Sequence, residues 1–264
     1  MNIKSTIAMP VTVLGIVLLL AANSRAPAQV EQTDLPINAA TRTQVIEAVL
    51  SRLNESYVLP ETAARMEHSI RMRMQKGDYD KVTSSSVLAQ TLTTHLAEIA
   101  KDKHLGVGFS YDLIPISTDQ KEPSAEDRER LRRMASSINF GFEKVERLNG
   151  NVGYMELDGF VNSELGAETA IAAMQFLANT DALIIDLRYN GGGVPGTAQL
   201  ISSYFFSDTP VYLHSIYWRE GNRTEQFWTL PYVPGKRYVD KPVYILMGKR
   251  TLSAPESFAY NLQA

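Results

Sequence analysis

Apolar residues in the first half of the chain recur at the spacing of a helix. From Thr41 onward Val45, Val49, Leu53 and Tyr57 repeat at every fourth position, joined by Ile46 and Leu50, and Pro60 ends or redirects the pattern. The same reading predicts a second helix from about Glu61 to Met74, broken by Gly77-Asp78. A third is predicted from about Ser86 to Ala100, with Leu88, Leu92, Leu96 and Ile99 on one side. Three short helices in succession imply a small helical bundle over residues 41–102. Asp112 to Arg133, with Pro115, Pro123 and many charges, reads as a connection carrying one polar helix near its end.

Beyond that connection the period changes. Asn151 to Phe160 alternates apolar and polar residues like a strand, and Ser163 to Leu177 returns to a helical pattern. Ala182–Leu187 is an apolar run of strand length, suited to a buried parallel strand. Gly191-Gly192-Gly193 follows it, Gly196 to Phe206 looks helical, and strands are predicted at 211–218, 224–229 and 243–247. A last helix begins near Pro255. The predicted class is α/β, with loops at strand ends able to build a site.

The first 28 residues differ from all of this. Lys4 precedes an almost uncharged apolar stretch from Thr6 to Ala22, and Ala26-Pro27-Ala28 gives the small-x-small pattern of a cleavage site. The expectation is a signal peptide at 1–28 and export, to a periplasm or the exterior; the competing reading is a membrane anchor, which Pro10 and the cleavage pattern disfavour. The remaining divisions are a helical subdomain at 29–110, a connecting segment at 111–150 and a core at 151–264.

Composition narrows the chemistry. The net charge of −3 without a long basic run gives no reason to expect a nucleic-acid partner. There is no cysteine, so disulfides, thiol nucleophiles and thiolate metal ligands are excluded. His68, His95, His104 and His214 are scattered, and neither a metal site nor a cofactor is expected. No membrane association is expected once residues 1–28 are removed.

Two loops each follow a strand and precede a helix. In the first, Asp186-Leu187-Arg188-Tyr189-Asn190-Gly191-Gly192-Gly193, bare glycine N–H groups suit a carbonyl oxygen that gains negative charge; a plain tight turn explains the run equally well. In the second, Gly248 to Glu256, Pro255 fits a first helical turn and puts Ser253 at or just before a helix N-terminus, where an anion is stabilised. Ser253-x-x-Glu256 is also a capping box, which has no catalytic meaning. His104 could take a proton from a nucleophilic serine or could be an ordinary surface residue.

Four stretches in order make the set recognisable: Leu53 to Glu61 with its Tyr-Val-Leu-Pro-Glu turn, Asp102-Lys103-His104-Leu105, Asp186 to Gly193, and Thr251-Leu252-Ser253-Ala254-Pro255-Glu256. Together they resemble the C-terminal-processing (tail-specific) serine peptidases, and more closely the branch with the tricorn protease core and the modules of interphotoreceptor retinoid-binding protein. The resemblance implies a helical N-terminal subdomain and a crotonase-like ββα superhelix core. It implies a serine-type peptidase acting on peptide or protein substrates, with Ser253 as nucleophile, His104 as general base, and the N–H groups of Gly192 and Ala254 as oxyanion hole. The family's pattern continues past position 264 with the Lys or Glu that completes its catalytic set, so the chain is expected to be C-terminally incomplete and impaired. No stretch is long enough for the PDZ domain that tail-specific members insert. The alternative function is a retinoid-binding-like carrier of apolar ligands, with Trp218, Phe227, Trp228, Tyr232 and Tyr238 lining a groove, against their simpler reading as strand and core packing.

Overall fold

The computed structural model describes residues 34–110 and 124–263; the signal segment expected at 1–28 lies outside them. The described residues form two compact units, one comprising 34–110 with 218–221, the other 124–217 with 222–263.

The first unit holds helices α1 (Ala39–Ser56), α2 (Pro60–Gln75) and α3 (Ser85–Ala100). Their starts are written locally. Asn38 Oδ1 accepts the Thr41 N–H at 2.8 Å, Pro60 takes the first position of α2, and Ser84 Oγ accepts the Val87 N–H at 3.1 Å. The stripes predicted for α1 and α3 turn inward: Ile46, Leu50 and Leu53 join Leu88, Leu92 and Leu96 in a single core cluster, to which α2 adds Met66 and Ile70. Burial of each such side chain contributes about 1.5–3 kcal/mol. That outweighs the ion pairs of Arg71 with Glu47 and Glu67, which are exposed and screened by solvent. Lys101, in the left-handed conformation at φ 54°, stops α3 and turns the chain toward Asp102 and His104.

The second unit contains α4 (Ala125–Ser137), β1 (Phe142–Leu148), β2 (Val152–Leu157), α5 (Ser163–Leu177), β3 (Ala182–Asp186), α6 (Pro195–Ser203), β4 (Tyr212–Trp218), β5 (Arg223–Trp228), β6 (Val243–Leu246) and α7 (Ala254–Asn261). Four strands form one sheet in the order β1-β2-β3-β6; β1 runs antiparallel to β2, whereas β2, β3 and β6 are mutually parallel neighbours. β4 and β5 pair separately. The sheet's core face, with Met155, Leu157, Leu183 and Ile185, packs on Met174 and Leu177 of α5, Ile201 of α6 and Phe258 of α7.

Parallel order has one functional consequence. The segments leaving β3 and β6 emerge side by side at the same sheet end, since Asp186 is in register with Leu246. One strand escaped the sequence reading: 142–148, read as part of the connection, is β1. It is an edge strand of mostly solvated residues, Phe-Glu-Lys-Val-Glu-Arg-Leu, whose charges suit an edge and hide its period. Among the described residues no helix is long and apolar enough to cross a membrane.

Candidate active site

The loop after β3 is built on two buried polar side chains. Asp186 lies at the end of the strand with its side chain fully buried. Its carboxylate accepts from the Arg188 backbone N–H at 3.0 Å, from Arg188 Nη2 at 2.6 Å and from the Tyr154 hydroxyl at 2.8 Å. Burial pushes its pKa up, but these donors outweigh it and hold the group below the ordinary carboxylate value. The pairing fixes the turn out of the sheet. Asn190, wholly buried, then spans the loop: Nδ2 donates to the Leu157 carbonyl at 2.9 Å, and Oδ1 accepts the Gly192 N–H at 3.0 Å.

The glycines lie flat against the segment that follows β2. Phe160 N–H donates to the Gly192 carbonyl and Val194 N–H to the Phe160 carbonyl, each at 2.8 Å. This parallel bridge leaves Gly193's own N–H and carbonyl out of the pairing. Gly193 sits at φ +139°, where a Cβ would fall 2.0 Å from the Phe160 carbonyl oxygen. Glycine is required there by space as well as by torsion.

The loop after β6 is tied to the first by backbone and hydroxyl contacts. Thr251 Oγ1 donates to the Leu187 carbonyl and accepts the Gly248 N–H, both at 2.8 Å; Leu252 N–H donates to the Asn190 carbonyl at 3.2 Å. The glycine loop and the residue next to Ser253 are therefore in direct contact. Ser253 follows at φ 73°, ψ −117°, a conformation rare for a residue with a side chain, and α7 starts at Ala254 with Pro255 behind it. The capping function is present as well: Ser253 and Glu256 form a capping box, in which the Ser253 N–H donates to the Glu256 carboxylate at 2.6 Å. Ala254, the first helical residue, contributes an N–H that the helix itself cannot pair.

The predicted site residues thus separate into two groups. Ser253, Ala254 and Gly192 belong to the pair of joined loops. Gly192's N–H is not idle, because Asn190 Oδ1 holds it. His104 belongs to the helical unit. There its backbone N–H and Nδ1 both lie against Asp102 Oδ1, at 2.9 and 3.0 Å, and the Tyr57 hydroxyl donates to Asp102 Oδ2 at 3.1 Å. Sequence reasoning named Asp186, Asn190 and Thr251 only as letters of motifs; their work in bracing the loops depends on partners that spacing does not reveal. It did not single out Asp102 as the partner of His104, or Tyr57 as the partner of Asp102.

Four of the five aromatics proposed for an apolar groove have different surroundings. Tyr238 is buried in the core, near the Thr180 hydroxyl at 2.9 Å, and Phe227 stacks on His214 at 4.9 Å between ring centroids. Trp228 meets Tyr212 edge-on, and Tyr232 is largely exposed. Among the described residues no group of three His, Asp or Glu side chains is placed to hold a metal ion.

Two family models match the chain in succession. Residues 37–139 match the N-terminal domain of peptidase S41 in eukaryotic IRBP, and residues 151–264 match peptidase family S41. The chain belongs to peptidase family S41. Among solved structures this S41 chain is similar to a candidate peptidase from Parabacteroides merdae, at 18% identity and TM-score 0.54, over 84% of this chain and 72% of that one. It is also similar to a lipoprotein from Streptococcus agalactiae (16% identity, TM-score 0.41, 87% of this chain and 74% of that one). A third is the photosystem II D1 C-terminal processing protease (24% identity, TM-score 0.35, 44% of this chain and 30% of that one). Only the first overlaps well enough to show a shared fold. The architecture is the α/β one expected: a helical N-terminal subdomain and a crotonase-like core with a mixed sheet.

Proposed function

We propose that this S41 chain is a serine peptidase that hydrolyses peptide bonds of a peptide or protein substrate through an acyl-enzyme on Ser253. The observation that carries this reading is the backbone of Ser253, held at φ 73° at a helix N-terminus by a loop fastened to the glycine loop. Capping alone does not call for that strain, since an N-cap residue ordinarily has an extended backbone.

In this reading Ser253 Oγ adds to the scissile carbonyl carbon while its proton passes to a general base, the role that the sequence resemblance implies for His104. The C–N bond then breaks, the amine leaves with that proton, and water hydrolyses the ester. The negative oxygen of the tetrahedral intermediate is received by the N–H groups of Ala254 and Gly192. For Gly192 the oxyanion replaces Asn190 Oδ1, a weaker acceptor because it is neutral. Removing one such donor costs about 2.7–4 kcal/mol of transition-state stabilisation.

The test is covalent labelling of the protein by a fluorophosphonate. Labelling is expected in the parent chain and abolished by Ser253→Ala; failure of the parent to label overturns the reading. We also place the activity outside the cytoplasm, on the strength of residues 1–28 alone. An exported protein beginning at Gln29, identified by mass in the periplasmic or secreted fraction, is the expected result, and an intact cytoplasmic chain counts against it.

A further inference from the structure

We infer that Arg250 is a specificity-determining residue of the candidate site: its guanidinium, laid over the Tyr189 ring, receives the carboxylate of an Asp or Glu side chain near the substrate's scissile bond. The inference rests on the reading of Ser253 as nucleophile and adds to it a class of substrate, an acidic peptide segment. Every residue it uses belongs to the second unit.

The backbone sets where Arg250 stands. Gly248 to Thr251 form a tight turn, closed by the Thr251 N–H on the Gly248 carbonyl at 3.1 Å, so Lys249 and Arg250 are its two tip residues and both are exposed. The turn is pinned from behind. Thr251 is bonded to Leu187 and Leu252 to Asn190, and a Cβ on Gly248 would stand 3.1 Å from the Arg188 carbonyl oxygen. Tyr189 belongs to the neighbouring loop, between Arg188 and Asn190, and the Arg250 guanidinium carbon lies 5.7 Å from its ring centroid. That is within the reach of a cation–π contact, about 6 Å. The stack therefore crosses between the two loops that build the candidate site, and Arg250 precedes Ser253 by three positions.

Charge points to the ligand. On the two loops and the first turn of α7, Asp186 pairs with Arg188, and the Glu256 carboxylate accepts the Ser253 N–H. Among the described residues no carboxylate pairs with Lys249 or Arg250. The aromatic face holds one side of the guanidinium plane and leaves its edge, where the N–H groups point, open to a ligand. A planar fork offers two parallel N–H donors to a carboxylate, and an arginine already held on a ring loses less freedom on binding than a mobile one. Lys249 beside it adds positive charge without direction. The anion that a peptide can bring to such a fork is a carboxylate.

The experiment is protection of the full chain from fluorophosphonate labelling by pools of decapeptides built from uncharged residues, acetylated and amidated so that their ends carry no charge. One pool fixes a Glu at its centre, a second a Gln and a third a Lys. In the parent chain the Glu pool should protect at about a tenfold lower concentration than the Gln pool. Arg250→Gln should erase that difference, and Tyr189→Leu, which keeps the charge but removes its platform, should narrow it. Arg250→Glu should make the Lys pool the best protector, an inversion that a merely structural arginine would not produce. Equal protection by the Glu and Gln pools in the parent chain, or a Glu preference that survives Arg250→Gln, overturns the inference while leaving the Ser253 reading intact. So does a preference confined to a Gln pool with free C-terminal carboxylates, which would assign the charge to the peptide's end. A parent chain that does not label overturns the Ser253 reading, and the specificity role with it.

Discussion

The hydroxyl of Thr251 donates to the carbonyl of Leu187 at 2.8 Å, joining the segments that leave the neighbouring parallel strands β6 and β3. The same hydroxyl accepts the Gly248 N–H, so one buried side chain closes its own loop and fastens it to the other. Thr251→Val keeps the shape and removes both bonds. It is expected to cost about 1–2 kcal/mol of stability and to reduce labelling of Ser253 by more than that loss of folded protein explains. Thr251→Ser, which restores the hydroxyl, should recover most of both in urea titration and labelling assays. Equal labelling by the valine variant would show that the tie does not position the serine.

Ser253 invites the opposite experiment, a substitution that stabilises while destroying function. Its left-handed φ of 73° is strained by about 1–3 kcal/mol, and glycine relieves that strain. Loss of the serine cap subtracts only a few tenths of a kcal/mol, and the extra freedom of glycine in the unfolded chain about 0.5–1 kcal/mol. Ser253→Gly is therefore expected to raise the unfolding midpoint by the equivalent of about 1 kcal/mol with labelling abolished. Ser253→Ala should abolish labelling without the gain. A glycine variant less stable than the alanine variant contradicts the strain, and with it the observation on which the functional reading stands.

The elements of this fold differ in how openly the sequence announces them. α1 to α3 were legible because each buries one face, so Leu88, Leu92 and Leu96 must recur at helical spacing. β3 was legible because a strand covered on both sides by parallel neighbours tolerates only an apolar run. β1 was not, because at an edge Glu143, Lys144, Glu146 and Arg147 need no burial pattern. The site follows the same division. Ser253 at a helix start could be read from Pro255 and Glu256, but its strained backbone is imposed by Thr251 and Leu252, whose partners lie more than 60 residues earlier in the chain. The link from Tyr57 through Asp102 to His104 was equally invisible, since it depends on α1 packing beside the end of α3.

Two glycines with positive φ separate torsion from space. Gly150 turns β1 into β2 at φ +77°, and a Cβ there would meet nothing within 4 Å. Gly150→Ala is expected to cost about 1–2 kcal/mol, the price of the left-handed backbone. At Gly193 the added carbon would collide with backbone, 2.0 Å from the Phe160 carbonyl oxygen, and no side chain can swing aside. Gly193→Ala is expected to cost more than about 4 kcal/mol or to prevent folding of the second unit. Equal costs in parallel urea titrations would mean that the glycine loop is free to lift from the Phe160 segment, and so is not a rigid wall of the site.

The last prediction concerns Asp186, whose carboxylate stands behind the glycine loop. Burial acts to raise its pKa, but the donors from Arg188 and Tyr154 outweigh it, so the folded value lies below the unfolded one of about 3.9. The folded state then binds this proton less readily than the unfolded chain. The stability contributed is complete above the unfolded value and is lost as pH falls through the lower, folded one. Below about pH 4 the parent chain should lose stability more steeply than Asp186→Asn, which carries no proton to gain. At pH 7 the asparagine variant should itself be less stable by about 1.5–3 kcal/mol, the range for hydrogen bonds to a charged group. Because the Arg188 turn leads directly into Asn190 and Gly192, it should also label more slowly. Urea midpoints measured from pH 7 to pH 3 give the comparison. Parallel curves for the two proteins would place the acid sensitivity elsewhere and leave Asp186 a spectator of the turn.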